Sequence, residues 1–167
     1  VVIVDDSSPD GTANAVASLS AKHPGVRLYS RPKKMGLSGA VFAGIEMAHG
    51  EYVCIMDADL SHDPEEIPEM LALAQSGYDV VVGSRFAPGG SLGGQPFGRR
   101  VVSIAANLVT RTALGLRTRD VLTGYVLCRR EAIAQMPTRY SAGGFKFLLE
   151  LLSTRRDLRV CEWPIVF

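Results

Sequence analysis

Asp57 and Asp59 stand two residues apart at the end of a wholly apolar run, Tyr52-Val53-Cys54-Ile55-Met56. Such a run reads as a strand buried on both faces, the kind found in parallel sheets flanked by helices. Carboxylates at the carboxyl end of such a strand lie where open α/β sheets bind ligands. Two of them at i and i+2 can share one hard cation, Mg²⁺ or Mn²⁺, which takes oxygen ligands and often holds substrate phosphates as well. A strand ending in a polar turn explains the same letters. Ser61 could reach the same ion, whereas His62 and Asp63 read as caps of the helix opened by Pro64.

Other chemistry-bearing groups fall at similar places. Asp5 and Asp6 follow the strand-like Val1-Val2-Ile3-Val4. There a carboxylate can accept hydrogen bonds from a ribose or from base N–H groups. An Asx-rich turn leading into a helix is the plain alternative. Arg85 follows Val80-Val81-Val82-Gly83-Ser84. Arg99 and Ser103, four apart, share one face of a helix. Guanidinium groups grip phosphate in a bidentate manner, so Arg85 and Arg99 are candidates to hold one near a cation. Arginines that snorkel from an amphipathic helix would look the same. Asp120 is the acid beside this basic stretch, and reads either as a salt-bridge partner or as an organiser of the arginines.

These groups require strands that end together. A strand–helix alternation runs from Val1 to Gly83, with helices expected over about 12–21, 37–48 and 64–76, and argues a parallel, doubly wound sheet. The alternation then breaks. Pro88 to Gly98 reads as a loop too glycine-rich to pack. A helix follows over about 99–116, on which Val102, Ala105, Ala106, Val109 and Ala113 recur at helical spacing; its basic start and apolar stripe suit a membrane surface or an ordinary core helix equally. A short strand near 124–127, a helix from Phe145 to Arg156 and a strand from Leu158 to Phe167 complete the reading.

The 167 residues suffice for one domain with a sizeable core, and a formal charge of +1 makes no case for nucleic-acid binding. Charge distribution is more telling. From Val80 to Arg119 there is no Asp or Glu but there are six arginines, next to an acidic stretch from Asp57 to Asp79. That suits a phosphorylated substrate. Cys54, Cys128 and Cys161 are odd in number and set in apolar segments, as expected of reduced thiols. No apolar run reaches the ~20 residues that span a bilayer. The chain opens within a strand and closes on an apolar segment, so it reads as a single domain, 1–167, truncated at both ends.

Six segments, in this order, resemble the polyprenol- and dolichol-phosphate mannosyltransferases of glycosyltransferase family 2. They are Asp5-Asp6-Ser7-Ser8-Pro9-Asp10-Gly11-Thr12, Gly36 to Ala40, Met56 to His62, Gly83-Ser84-Arg85 with Gly89-Gly90, Arg99 to Asn107, and Asp120 to Tyr125. The final Glu162 to Phe167 is also similar to that family's last core strand. The resemblance implies a GT-A nucleotide-diphospho-sugar transferase fold, α/β, with a mostly parallel sheet and helices on both faces. It implies inverting transfer of a hexosyl group, mannose from GDP-mannose, to a polyprenyl or dolichyl phosphate. Asp5 and Asp6 would bind the donor, with Asp57 and Asp59. Asp57 and Asp59 would hold Mg²⁺ or Mn²⁺, with Ser61 (where many relatives carry Gln) as a further candidate. Arg85, Arg99 and Ser103 would hold the acceptor phosphate, and Asp59, Arg85 and Arg99 form the expected catalytic set. The segment Gly143-Gly144-Phe145-Lys146 looks more like bacterial members. The implied setting is the cytoplasmic face of a membrane, with an anchoring segment or subunit outside this chain. A UDP-glucose-dependent transferase is the nearest alternative. A sugar-phosphate nucleotidyltransferase would carry a Gly-rich basic loop after its first strand, where this chain has Asp5-Asp6-Ser7-Ser8. A non-catalytic nucleotide-binding module is the third.

Overall fold

The computed structural model describes residues 1–34, 36–134 and 146–166. Their contacts gather into two compact units. One holds Val1–Gly50 and takes in Phe147; the other runs from Glu51 to Ala134 and from Leu148 onward.

The first unit is a βαβα arrangement. Strand β1 (Val2–Asp5) and strand β2 (Arg27–Ser30) pair in parallel, with Val2 opposite Arg27 and Asp5 opposite Ser30. Helix α1 (Thr12–Lys22) connects them. Its entry is set by Asp10, whose carboxylate accepts from the Thr12 N–H at 3.1 Å and hydroxyl at 2.6 Å, and by Gly11 at φ 86°. That left-handed conformation is open to glycine at little cost. Helix α2 (Leu37–Glu46) follows, and its Phe42 meets Phe147 edge-on at 5.7 Å.

The second unit is built on a four-stranded sheet of β3 (Tyr52–Ile55), β4 (Val80–Ser84), β5 (Val126–Arg129) and β6 (Val160–Pro164), in the spatial order β3-β5-β4-β6. Strands β3 and β4 each pair antiparallel with β5, and β6 lies parallel to β4, so three strands run one way and β5 runs against them. A 3-10 turn (Pro64–Glu66) and helix α3 (Ile67–Gln75) precede β4, and α3 packs over β4 and β5. Met70 and Ala74 of α3 join Val81, Tyr125, Leu127 and Ile165 in the core. Helices α4 (Phe97–Ala113), α5 (Arg130–Ala134) and α6 (Phe147–Thr154) complete the chain.

Strand β4 is buried along its whole length, as its apolar run predicts. Strand β3 is only half-buried. It takes an outer place in its sheet, so its similar apolar run does not make it central. The glycine-rich loop packs better than expected. Leu92 is buried, and Gly90 lies so close to the Ser84 carbonyl that a Cβ there would stand 2.5 Å from its oxygen. Helix α4 turns its apolar stripe outward. Its Val102 and Val109 face solvent, and Asn107 is its buried residue. The expected helix from Phe145 appears as α6, with Phe145 outside the described residues. The three cysteines are free thiols, and burial pushes Cys54 up to about 12 and Cys161 up to about 11.

Candidate active site

The aspartate pair sits where β3 ends. Asp57 is half-buried, and its backbone N–H donates to Nδ1 of His62 at 3.0 Å. A ring nitrogen that accepts carries no hydrogen, so the His62 proton sits on Nε2. His62 is buried and stacks on Tyr125, with ring centroids 4.9 Å apart and planes 19° from parallel. The Tyr125 hydroxyl donates to the Asp63 carbonyl at 2.6 Å. Burial raises this phenol above its usual range, which keeps it a neutral donor. Tyr125 in turn rests on Gly83 of β4, where a Cβ would come within 3.0 Å of the ring. His62 is therefore a prop under Asp57, not the helix cap expected of it. Asp63 does cap, accepting from the Glu65 N–H at 2.9 Å.

The Asp57 carboxylate makes no hydrogen bond among the described residues, and it lies against Gly124. A Cβ on Gly124 would stand 2.7 Å from Oδ2 and 3.2 Å from Cγ and Oδ1. Asp59, two residues on, is exposed. Its Oδ1 accepts from the Ser61 N–H at 3.0 Å and from the Ser61 hydroxyl at 2.5 Å. These bonds, the hydroxyl first, hold the Asp59 carboxyl below its usual range and keep it ionised. Ser61 thus orients Asp59. Between them Leu60 is 97% exposed with φ 66°. Positive φ costs a branched side chain energy and marks functional turns. The turn after Asp6 repeats the feature: Ser7 has φ 56°.

Arg85 is held in place by Asp120. Its Nε donates to Oδ2 at 2.7 Å, Nη2 to Oδ1 at 2.8 Å, and its backbone N–H to Oδ2 at 3.1 Å. Asp120 is fully buried, and its own N–H donates to Glu162 at 3.1 Å. Asn107 of α4 completes the network. Its amide donates to the Arg119 carbonyl at 2.8 Å and to Asp120 Oδ1 at 3.3 Å, and accepts from the Val121 N–H at 2.9 Å. The structure thus shows Asp120 as the salt-bridge partner of Arg85. Gly124 touches Asp57 and Asp120 grips Arg85. They stand four positions apart, at most ~14 Å of chain. One loop thus ties the aspartates to Arg85. Arg99 lies exposed in the first turn of α4, with Ser103 half-buried one turn on.

In the first unit, Asp5 is buried and Asp6 half-buried. Arg31 Nε lies 3.1 Å from Asp6 Oδ1, and Asp5 Oδ2 accepts from the Ser8 N–H at 3.2 Å. Arg31 is a residue that sequence reasoning passed over. Its signal was there, since it stands at the carboxyl end of β2 as Asp5 does at that of β1.

A cleft of about 710 Å³ is lined by Gly115 to Thr118, Arg155, Arg156 and residues of β6. It is not the candidate site. No aspartate lines it, and its one acid, Glu162, is bonded to the Asp120 backbone.

Residues 1–136 match the family model described as glycosyl transferase family 2. The chain belongs to that family. Across its whole length it is 38% identical to a dolichol-phosphate mannosyltransferase of Pyrococcus furiosus, and spans 47% of that protein. It is 36% identical to an undecaprenyl-phosphate mannosyltransferase of Micrococcus luteus and spans 71% of it. Among solved structures, glucosyl-3-phosphoglycerate synthase from Mycobacterium tuberculosis with UDP matches 99% of this chain and 57% of its own, at TM-score 0.65 and 19% identity. A mannosyltransferase from Pyrobaculum calidifontis in complex with GDP-Man and Mn²⁺ matches all of this chain and 47% of its own, at TM-score 0.62 and 20% identity. The fold is GT-A, mixed α/β with a parallel sheet and helices on both sides.

The residues of this family member fit a hard divalent cation. Among the described residues the Asp57 carboxylate makes no hydrogen bond, and Asp59 is ionised two residues away. Such cations are often held by one or two carboxylates plus substrate phosphate. Gly143, Gly144 and Phe145 lie outside the described residues.

Proposed function

We propose that this glycosyltransferase moves mannose from GDP-mannose to a polyprenyl or dolichyl phosphate at the cytoplasmic face of a membrane. One observation carries the reading. The Asp57 carboxylate, cradled by Gly124 and beside ionised Asp59, stands at a strand end in a chain whose relatives at 35–38% identity are named for this transfer. Asp57 and Asp59 would hold the divalent cation, which when bound supplies Lewis-acid stabilisation to the departing nucleoside diphosphate. Ser61 keeps Asp59 oriented for that task. Asp6 and Asp5, with Arg31 bracing Asp6, accept hydrogen bonds from the nucleoside.

The acceptor phosphate is already an anion, so its attack on the anomeric carbon needs no strong base. The difficulty is to bring two anions together. Arg85, Arg99 and Ser103 receive the acceptor phosphate and lower that repulsion. Asp120 already neutralises Arg85, so attraction for phosphate falls chiefly on Arg99.

The test is incubation with radiolabelled GDP-mannose or UDP-glucose and a polyprenyl phosphate, with and without EDTA. Label should pass from GDP-mannose into the lipid fraction, and both EDTA and Asp57→Ala should abolish the transfer. Transfer from UDP-glucose alone would replace mannose by glucose. Formation of sugar nucleotide from sugar phosphate, or full activity in excess EDTA, would overturn the proposal.

A further inference from the structure

Strand β6 reaches two parts of the site from its two faces. Consecutive side chains of a strand point to opposite sides of the sheet. Trp163 lies on the α3 side, packed against the core of Met70, Tyr125 and Ile165. Glu162 lies on the other side, where its Oε1 accepts from the Asp120 N–H at 3.1 Å. The register sets both heights. Glu162 stands opposite Val82 and Trp163 opposite Gly83, just before Ser84 and Arg85.

Each side chain holds a different group. The Trp163 indole N–H donates to Glu66 Oε2 at 2.6 Å. An indole can only donate and the carboxylate can only accept, so this charge-assisted bond fixes the orientation of both. Glu66 ends the 3-10 turn that follows Asp57, Asp59 and His62. Tyr125 holds the near end of that turn through the Asp63 carbonyl. Two aromatic donors thus pin the turn at both ends. On the opposite face, Asp120 is fully buried, so its backbone N–H needs an acceptor, and Glu162 is that acceptor. The Asp120 carboxylate in turn takes two side-chain N–H groups and the backbone N–H of Arg85.

We infer that Glu162 and Trp163 are positioning residues with separate duties. Trp163, through Glu66, fixes the turn that carries the metal-binding aspartates. Glu162, through Asp120, fixes the arginine that meets the acceptor phosphate. This deepens the proposed function and rests on it for the identity of both ligands. Because the two residues are adjacent on one strand, β6 sets the spacing between cation and acceptor phosphate, and transfer depends on that spacing.

The test compares Trp163→Phe, Glu66→Ala, Glu162→Ala and Glu162→Gln with wild type. Calorimetry reads the affinity for Mn²⁺ in the presence of GDP, and separately the affinity for farnesyl phosphate, a short polyprenyl phosphate. Mannosyl transfer to farnesyl phosphate gives kcat and KM. Trp163→Phe and Glu66→Ala should each weaken Mn²⁺ binding about ten-fold and leave farnesyl phosphate within about two-fold of wild type. Combined, they should lose no more than either alone, since both break one bond. Glu66→Ala leaves the indole in the core, so it reads the bond even where Trp163→Phe lowers Tm. Glu162→Ala should do the reverse, raising KM for farnesyl phosphate about ten-fold with Mn²⁺ affinity unchanged. Glu162→Gln should restore wild-type values, because its amide oxygen still accepts from the Asp120 N–H. Both affinities falling together in these variants, or neither falling, would overturn the inference and leave the proposed function standing. Wild type that transfers no mannose to farnesyl phosphate would count against the function instead. The Mn²⁺ affinities, lowered by Trp163→Phe and not by Glu162→Ala, would still decide the inference.

Discussion

Gly124→Ala should disable the metal site while leaving the fold almost intact. Gly124 does not have the positive φ that would bar a side chain, so the obstacle is purely one of space. The new methyl would stand 2.7 Å from Asp57 Oδ2 and 3.2 Å from Cγ. Real Cβ atoms do not approach an oxygen that closely, so the Asp57 carboxylate must swing aside. Forcing a side chain ~30° from its rotamer costs about 0.5–1.5 kcal/mol. For a chain of this size that is a fall in Tm of roughly 1–6 °C. The functional cost is larger, because a group misplaced by about 1 Å can lose ~100-fold in rate. Mn²⁺ affinity in the presence of GDP, read by calorimetry, and mannosyl transfer across a Mn²⁺ titration measure the effect together. The half-saturating Mn²⁺ concentration should rise and the rate should fall by about 100-fold. Gly94→Ala, where a Cβ meets nothing within 4 Å, is the control and should match wild type. Unchanged Mn²⁺ affinity in Gly124→Ala, with an unchanged rate, would refute the cradle and with it the metal role of Asp57.

Three further outcomes follow from the same geometry. Asp120→Asn strips the charge from a fully buried partner of Arg85 and should cost about 3–5 kcal/mol in urea denaturation, along with most of the activity. Ser61→Ala removes the larger of the two bonds that lower Asp59. Asp59 ionisation is lost as pH falls through its depressed value, so without Ser61 that loss moves up toward the ordinary 3.8, and the acid limb of Mn²⁺ binding should shift to higher pH. Glu150 is buried on α6, its Oε2 has no hydrogen-bond partner among the described residues, and burial raises its carboxyl above the usual range. A raised folded value means a contribution that is fully present below the unfolded value and lost as pH rises through the folded one. Glu150→Gln should therefore raise Tm at pH 7 by a few degrees and flatten its decline above pH 5, as followed by differential scanning calorimetry.

Most of the candidates other than Arg99 and Ser103 were legible because they sit at a strand's carboxyl end, a place that apolar runs and Gly/Asp turns mark in one dimension. Asp57 and Asp59 after β3, Arg85 after β4 and Asp5 after β1 all follow that rule. What supports them was not legible, since those contacts are made across the sheet. His62 props Asp57 only because β5 inserts antiparallel between β3 and β4 and carries Tyr125 in beneath it. No local pattern announces that insertion, and the alternation of strands and helices argues for direct β3–β4 pairing instead. Gly124 looks like a turn residue, and its real constraint is a carboxylate 67 positions earlier in the chain. The direction of the α4 stripe was left open for a different physical reason. Periodicity finds an apolar stripe but not its direction, so a core helix and a membrane-surface helix read alike. The buried amide of Asn107 decides the direction here. Its bonds to the Arg119 carbonyl, Asp120 and the Val121 N–H satisfy a polar group that would otherwise be costly to bury. They can form only if Asn107 faces in, and on a helix that turns Val102 and Val109 out. The anchor that fixes Arg85 through Asp120 is therefore the same one that turns the apolar face of α4 outward.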